Sequence, residues 1–117
     1  MTLEYVTGAE FCIANDAIGV FVLNTGALAA TTRIIVNHES GGTSVVIVDT
    51  GTTSVDPGAS FGFSLSILTT GQYWIQIFVS SNELVPNARF VTIQGTNPVT
   101  FMSYAPGGFA VFDRRKM

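Results

Sequence analysis

Gln72-Tyr73-Trp74-Ile75-Gln76-Ile77-Phe78-Val79 is a run of aromatic and β-branched residues with no charge. Residues of this shape fit a pleated, half-buried surface, so the run predicts a central strand. Alternation places Tyr73, Ile75, Ile77 and Val79 on one face and Trp74, Gln76 and Phe78 on the other. Large apolar groups therefore point both ways. Just upstream, Phe61, Phe63, Leu65 and Ile67 alternate with Gly62, Ser64 and Ser66. The link Leu68-Thr69-Thr70-Gly71 has hairpin length, so the two runs predict a β-hairpin at the heart of the fold.

Working outward, short apolar runs recur over residues 10–14, 17–23, 31–37, 44–49, 88–94, 99–104 and 109–112, separated by turn-forming clusters such as Asn15-Asp16, Gly41-Gly42 and Pro106-Gly107-Gly108. With the two central runs this makes about nine short strands and no helical periodicity of useful length. The expectation is an all-β chain: one antiparallel β-sandwich, jelly roll or immunoglobulin-like, over residues 1–117. Residues 1–8 read as an N-terminal arm and residues 113–117 as a basic tail. In a two-layer sandwich each strand should have one apolar and one polar face. The runs at 17–23, 44–49 and 72–79 break that rule, so their outer faces call for a cover, such as a loop, the arm or another subunit.

Composition points the same way. A 117-residue chain is one domain, able to bury roughly two-thirds of its unfolded surface without a metal or disulfide framework. Charged residues are 11% and hydrophobic residues 47%, with a mean hydropathy of +0.44. The usual charged share is about 25%, so one copy is poorly supplied with groups to cover itself. Apolar runs are all interrupted well short of the roughly 18 residues a bilayer demands, so no membrane span is expected. The only bases before the tail are Arg33 and Arg89, against Glu4, Glu10, Asp16, Glu39, Asp49, Asp56 and Glu83. A sequence pI near 4.7 argues against nucleic acid as a partner. The first residues lack a basic segment followed by an apolar one, so no signal peptide is expected.

Among candidate sites, Val45-Val46-Ile47-Val48-Asp49-Thr50-Gly51-Thr52 resembles the catalytic signature of aspartic proteases. That resemblance implies a dimer in which paired carboxylates, one being Asp49, share a proton. The chain has no later apolar-apolar-Gly element of the kind that braces the aspartate loop in that family, and the other reading is a tight turn capped by Asp49. His38, the only histidine, sits beside the Gly41-Gly42 turn and reads as hairpin-tip polarity. Asp16, Asp49 and Asp56 follow no calcium-loop spacing, so no metal or other cofactor is expected. Tyr73, Trp74 and Tyr104 are candidates for a sugar-stacking platform, with core packing as the alternative. Cys12, the only cysteine, fits a small buried hydrophobe, and its position after the arm also suits a bond between subunits.

The arm at residues 1–8, Cys12, and the Ser40-Gly41-Gly42 and Pro57-Gly58-Ala59-Ser60-Phe61 segments resemble the jelly-roll subunits of bacterial endospore appendages. The chain departs from that family in having one early cysteine rather than several. The resemblance implies a spore or cell surface location and assembly by strand addition, with arms reaching into neighbours. The expected function is thus a non-enzymatic, self-associating building block of a surface assembly, ring or fibre. Leu3, Tyr5 and Val6 would dock on a neighbour, Cys12 would cross-link, and Arg114, Arg115 and Lys116 would pair with an acidic neighbouring copy. The alternative is a small glycan- or protein-recognition module built on Tyr73, Trp74 and Tyr104.

Overall fold

A computed structural model describes residues 2–113, so Arg114, Arg115 and Lys116 lie outside the described residues. Its architecture is an antiparallel β-sandwich of eleven strands among those residues. They are β1 (Leu3–Val6), β2 (Glu10–Cys12), β3 (Ala17–Asn24), β4 (Ala30–Ser40), β5 (Thr43–Asp49), β6 (Thr53–Val55), β7 (Ser60–Ser66), β8 (Gly71–Val79), β9 (Leu84–Gln94), β10 (Asn97–Tyr104) and β11 (Ala110–Asp113). One sheet has the order β11-β1-β8-β4-β5, with β2 flanking β8 and β6 flanking β4; the other has the order β10-β9-β3-β7.

Strand β8 is central, as the run at 72–79 predicts. One of its edges pairs with β1 and β2 in succession and the other pairs with β4. Tyr73, Ile75, Ile77 and Val79 are buried, and their direct partners His38, Val36, Ile34 and Thr32 on β4 are buried with them. Opposite them, Ile18, Val20 and Val22 of β3 and Leu84, Ala88 and Phe90 of β9 complete the core. Dense burial of this kind is the main favourable term in folding.

Two expectations are corrected here. Strands β7 and β8 are not a hairpin: β7 pairs with β3 in one sheet while β8 lies in the other, so residues 67–70 cross between layers. The alternation of Phe61, Phe63 and Leu65 with Gly62, Ser64 and Ser66 is that of an edge strand facing the core on one side only. Residues 1–8 are also no free arm. Strand β1 is inserted between β8 and β11, and Leu3 and Tyr5 pack on the chain's own core. Where β1 ends, Thr7 keeps the edge of β8 satisfied. Its N–H donates to the Ile75 carbonyl at 3.0 Å, and its Oγ1 accepts from the Ile75 N–H at 2.9 Å. Leu3 and Tyr5 therefore cannot reach a neighbour without stripping two strands of partners, while Val6 is half-buried on the outer side of the strand.

Two-residue hairpins instead join β9 to β10, where Gln94 pairs with Asn97, and β4 to β5, where Ser40 pairs with Thr43 across Gly41 and Gly42. Both glycines have positive φ, 61° and 83°, as a two-residue turn matched to strand twist requires. Asn24, buried at the end of β3, organises the crossover: its Nδ2 donates to the carbonyls of Leu28 and Val55, each at 2.9 Å, and its Oδ1 accepts from Gly26 N–H.

The insertion of β1 gives a test. Deleting residues 1–8 should abolish the cooperative unfolding transition of the domain, measured by urea denaturation, because it opens an internal seam in the sheet. A truncated chain that unfolds with the full-length midpoint would return β1 to the status of an appendage.

Candidate functional site

Direct cross-strand partners share a face, so the outer surface of the larger sheet can be assembled from its pairings. Across it run Phe112, Glu4, Phe78 and Arg33, then Ala110, Val6, Gln76, Ile35 and Asp49, and then Trp74, Asn37 and Val46. Through the middle passes a polar chain. Asn37 Nδ2 donates to Gln76 Oε1 at 2.9 Å, and Gln76 Nε2 donates to Glu4 Oε2 at 2.8 Å. Although Glu4 faces outward, it is only 2% exposed, and Asn37 is buried too. Half-buried Trp74 and Phe78 flank Gln76 along β8. A carboxylate shielded to this degree is tolerable only because it is hydrogen-bonded.

Several expected site residues are scattered by the fold rather than brought together. Tyr73 and Trp74 occupy opposite faces of β8; the Tyr73 ring is in the core and its hydroxyl donates to the Thr69 carbonyl. Tyr104 is buried on β10, in the other sheet, where its hydroxyl accepts from Gly8 N–H at 3.2 Å and donates to Glu10 Oε2 at 2.5 Å. Burial, with Glu10 beside it, pushes the Tyr104 phenol up to about 12. Only Trp74 of the three faces outward, so the three-ring platform does not exist.

Cys12 is fully buried, at 0% exposure, and belongs to the core. It therefore forms no bond between subunits in this fold. Burial, reinforced by the nearby Asp16 and Glu10 carboxylates, pushes its thiol up to about 12. His38 is likewise no hairpin tip: it is 8% exposed, on the inner side of β4, stacked on Tyr73 with ring centroids 4.4 Å apart.

Asp49 behaves as the turn-capping reading expects. Arg33 grips it with two bonds, Nε to Oδ1 at 2.9 Å and Nη2 to Oδ2 at 2.5 Å, and Gly51 N–H donates to Oδ1 at 3.0 Å. The Arg33 hydrogen bond, followed by that of Gly51, lowers the Asp49 carboxyl to about 2. A carboxylate held so firmly in its charged form is a poor proton acceptor. The Asp-Thr-Gly segment thus serves the β5–β6 turn, where Thr50 Oγ1 also accepts from Ile34 N–H at 3.0 Å.

The two-sided apolarity of residues 44–49 takes the form of an exposed edge strand, β5. Its Val45, Val46 and Ile47 are 47%, 58% and 42% exposed, on a strand that pairs only with β4 among the described residues. At the opposite edge of the same sheet, Val111 and Phe112 of β11 are exposed as well. The central residues of β5 lack charge, and an uncharged edge of this type offers backbone groups to another strand.

No protein-family model matches the chain, and no curated protein matches it. Among solved structures, it is similar to the crystal structure of Thermotoga maritima 1070, with a TM-score of 0.62 and 15% identity over 87% of this chain and 90% of that one. At that identity the likeness establishes the sandwich fold alone.

Burial of Cys12 sets a pH dependence whose sign is fixed. Its folded pKa is raised from 9.0 to about 12, so the stability it contributes is complete below about pH 9 and is lost as pH rises towards 12. Cys12→Ala should flatten the decline in unfolding free energy across that window, and the native thiol should react with a disulfide reagent only as fast as the domain opens. Rapid labelling of folded protein would contradict the burial.

Proposed function

We propose that this chain is a non-enzymatic, self-associating β-sandwich that serves as a structural building block, joining to other copies through the β5 edge of its larger sheet. The observation that carries this reading is β5: three successive large apolar residues are exposed on an edge strand that contains no lysine or proline and pairs only with β4 among the described residues. Strand addition uses such an edge for main-chain hydrogen bonds and lets its side chains supply specificity. The same sheet ends in β11 on its other side. Like-to-like pairing of β5 edges closes a dimer, whereas pairing β5 to β11 propagates into a ring or fibre. With only 11% charged residues, the surface offers little repulsion against either.

Light scattering on a size-exclusion column should give a mass well above the 12.4 kDa of one chain. Val46→Lys should reduce it to that of a single chain with an unchanged circular dichroism spectrum, since an exposed substitution shifts stability by only about 0.5 kcal/mol. Val111→Lys should do so only if β11 is the partner edge. A wild-type chain that is a single copy at high concentration, or a Val46→Lys variant that keeps the wild-type mass, sinks the proposal.

A second reading rests on the outer face of the same sheet. There the indole of Trp74 lies beside the Gln76 amide, which is itself bonded to Asn37 and Glu4, an aromatic plate next to planar polar groups that suits recognition of a glycan. On that reading Trp74→Ala abolishes a glycan-array signal while the oligomeric mass is untouched; an array with no signal for the wild-type chain removes it.

A further inference from the structure

The smaller sheet ends in β7, which pairs only with β3 among the described residues. It contains no charge and no proline, and it keeps an unbroken register with β3 from Ser60 to Ser66. At the other edge of that sheet, β10 slips register between Thr100 and Met102. A regular, uncharged edge leaves a row of backbone N–H and C=O groups in position to pair with another strand. The inner side chains of β7, Phe61, Phe63 and Leu65, pack on the core, whereas Ser60, Gly62, Ser64 and Ser66 face outward with little bulk.

Arg89 distinguishes this outer face. Direct pairing sets it in one cross-strand row with Gly19 of β3 and Ser64 of β7. A Cβ at Gly19 would meet Arg89 Nε at 3.4 Å and Cγ at 3.5 Å, so the arginine side chain lies over the glycine. Clefts of about 250 and 270 Å³ flank it, and Ser64 borders both, so Arg89 forms a ridge directed across β3 toward the β7 edge. Arg33 is held by Asp49, whereas Arg89 has no ion-pair partner among the described residues. Its neighbours on that face, Gly19, Ser64, Asn87, Val91 and Ser103, carry no charge. A guanidinium aimed at an open edge favours a carboxylate, which it can grip with two parallel bonds. On the inner side, Leu65 shares an apolar cleft with Ile47 and Leu68, so the position beside it suits an aliphatic side chain.

We propose that β7 accepts an extended segment of a partner protein as a fifth strand of the smaller sheet, with an acidic residue opposite Ser64 paired to Arg89 and aliphatic residues on either side of it turned toward the core. Main-chain bonds supply the affinity, and the Arg89 pair sets the register. This chain's own acid between apolar neighbours, Glu4 between Leu3 and Tyr5, is enclosed between β8 and β11, so the partner is a different protein. The β7 edge lies in the other sheet from β5, which makes partner capture and self-association separate properties.

The test uses the full chain and a fluorescently labelled, terminally blocked peptide, Val-Thr-Val-Glu-Val-Thr-Val, whose central glutamate falls opposite Ser64. The anisotropy titration should saturate, and amide exchange should slow over residues 60–66. The peptide with glutamine in place of glutamate should bind about threefold more weakly, as the loss of an exposed ion pair requires, and about 1 M salt should remove the difference. Arg89→Gln should keep the circular dichroism spectrum and bind both peptides alike; should it fail to fold, the salt dependence of the native chain decides. No saturation up to about 1 mM peptide, equal binding of the two peptides at low salt, or slowed exchange at residues 43–49 instead of 60–66 would each overturn the proposal.

Discussion

Everything in this fold depends on β8 having both edges and both faces occupied. Its inner file of Tyr73, Ile75, Ile77 and Val79 is the floor of the core, and each of these residues has a buried partner on β4. Its other edge would be open but for β1, Thr7 and β2, which lie along it in sequence. Unpaired backbone groups in so apolar a setting are costly, about 1–3 kcal/mol each when buried. The irregular link between β1 and β2 is therefore stitched by a side chain, with Thr7 Oγ1 standing where a backbone carbonyl would accept.

The outer face of the same strand shows how a polar residue can be drawn into an apolar surface. Glu4, Gln76 and Asn37 come from three adjacent strands and bond in a line, while Trp74 and Phe78 shield the line from either side. The polar groups satisfy each other, and the two aromatic residues beside them remain half covered by their own chain. The sheet thus hides much of the apolar surface that its alternation pattern would otherwise present, and most of what remains exposed lies on β5, on β11 and at Phe11 of β2.

How much of this was legible depends on whether local pattern or long-range pairing decides the outcome. The period-2 file of β8, the two-sided apolarity of β5 and the turn at Gly41-Gly42 are local properties and can be read directly from residue order. The partner of β7 is not local: its one-sided alternation fits a hairpin with β8 as well as an edge beside β3, and only packing of Phe61, Phe63 and Leu65 on the shared core selects the second. Glu4 misleads for a related reason. An acid between Leu3 and Tyr5 reads as a solvated arm until Gln76, seventy-two residues away, supplies its hydrogen bond. His38 beside a Gly-Gly turn reads as exposed because the turn is exposed, yet β4 carries its inner face almost to the hairpin tip. Of the candidate site residues, Trp74 and Asp49 take up placements consistent with the strand and turn readings, whereas Tyr73, Tyr104 and Cys12 are claimed by the core.

The contrast between the two ends of the apolar surplus is itself informative. Excess hydrophobic residues on a sheet face can be covered by rings and amides from adjacent strands, as happens over β8, because neighbours already sit about 5 Å away. An edge strand has a neighbour on one side only, so side-chain rearrangement within one copy cannot satisfy its free backbone groups. For β5 those groups must meet either water or another strand, and three exposed aliphatic side chains beside them weaken the case for water. That asymmetry, rather than the overall hydropathy, is why self-association is argued from an edge and not from the broad outer face around Trp74.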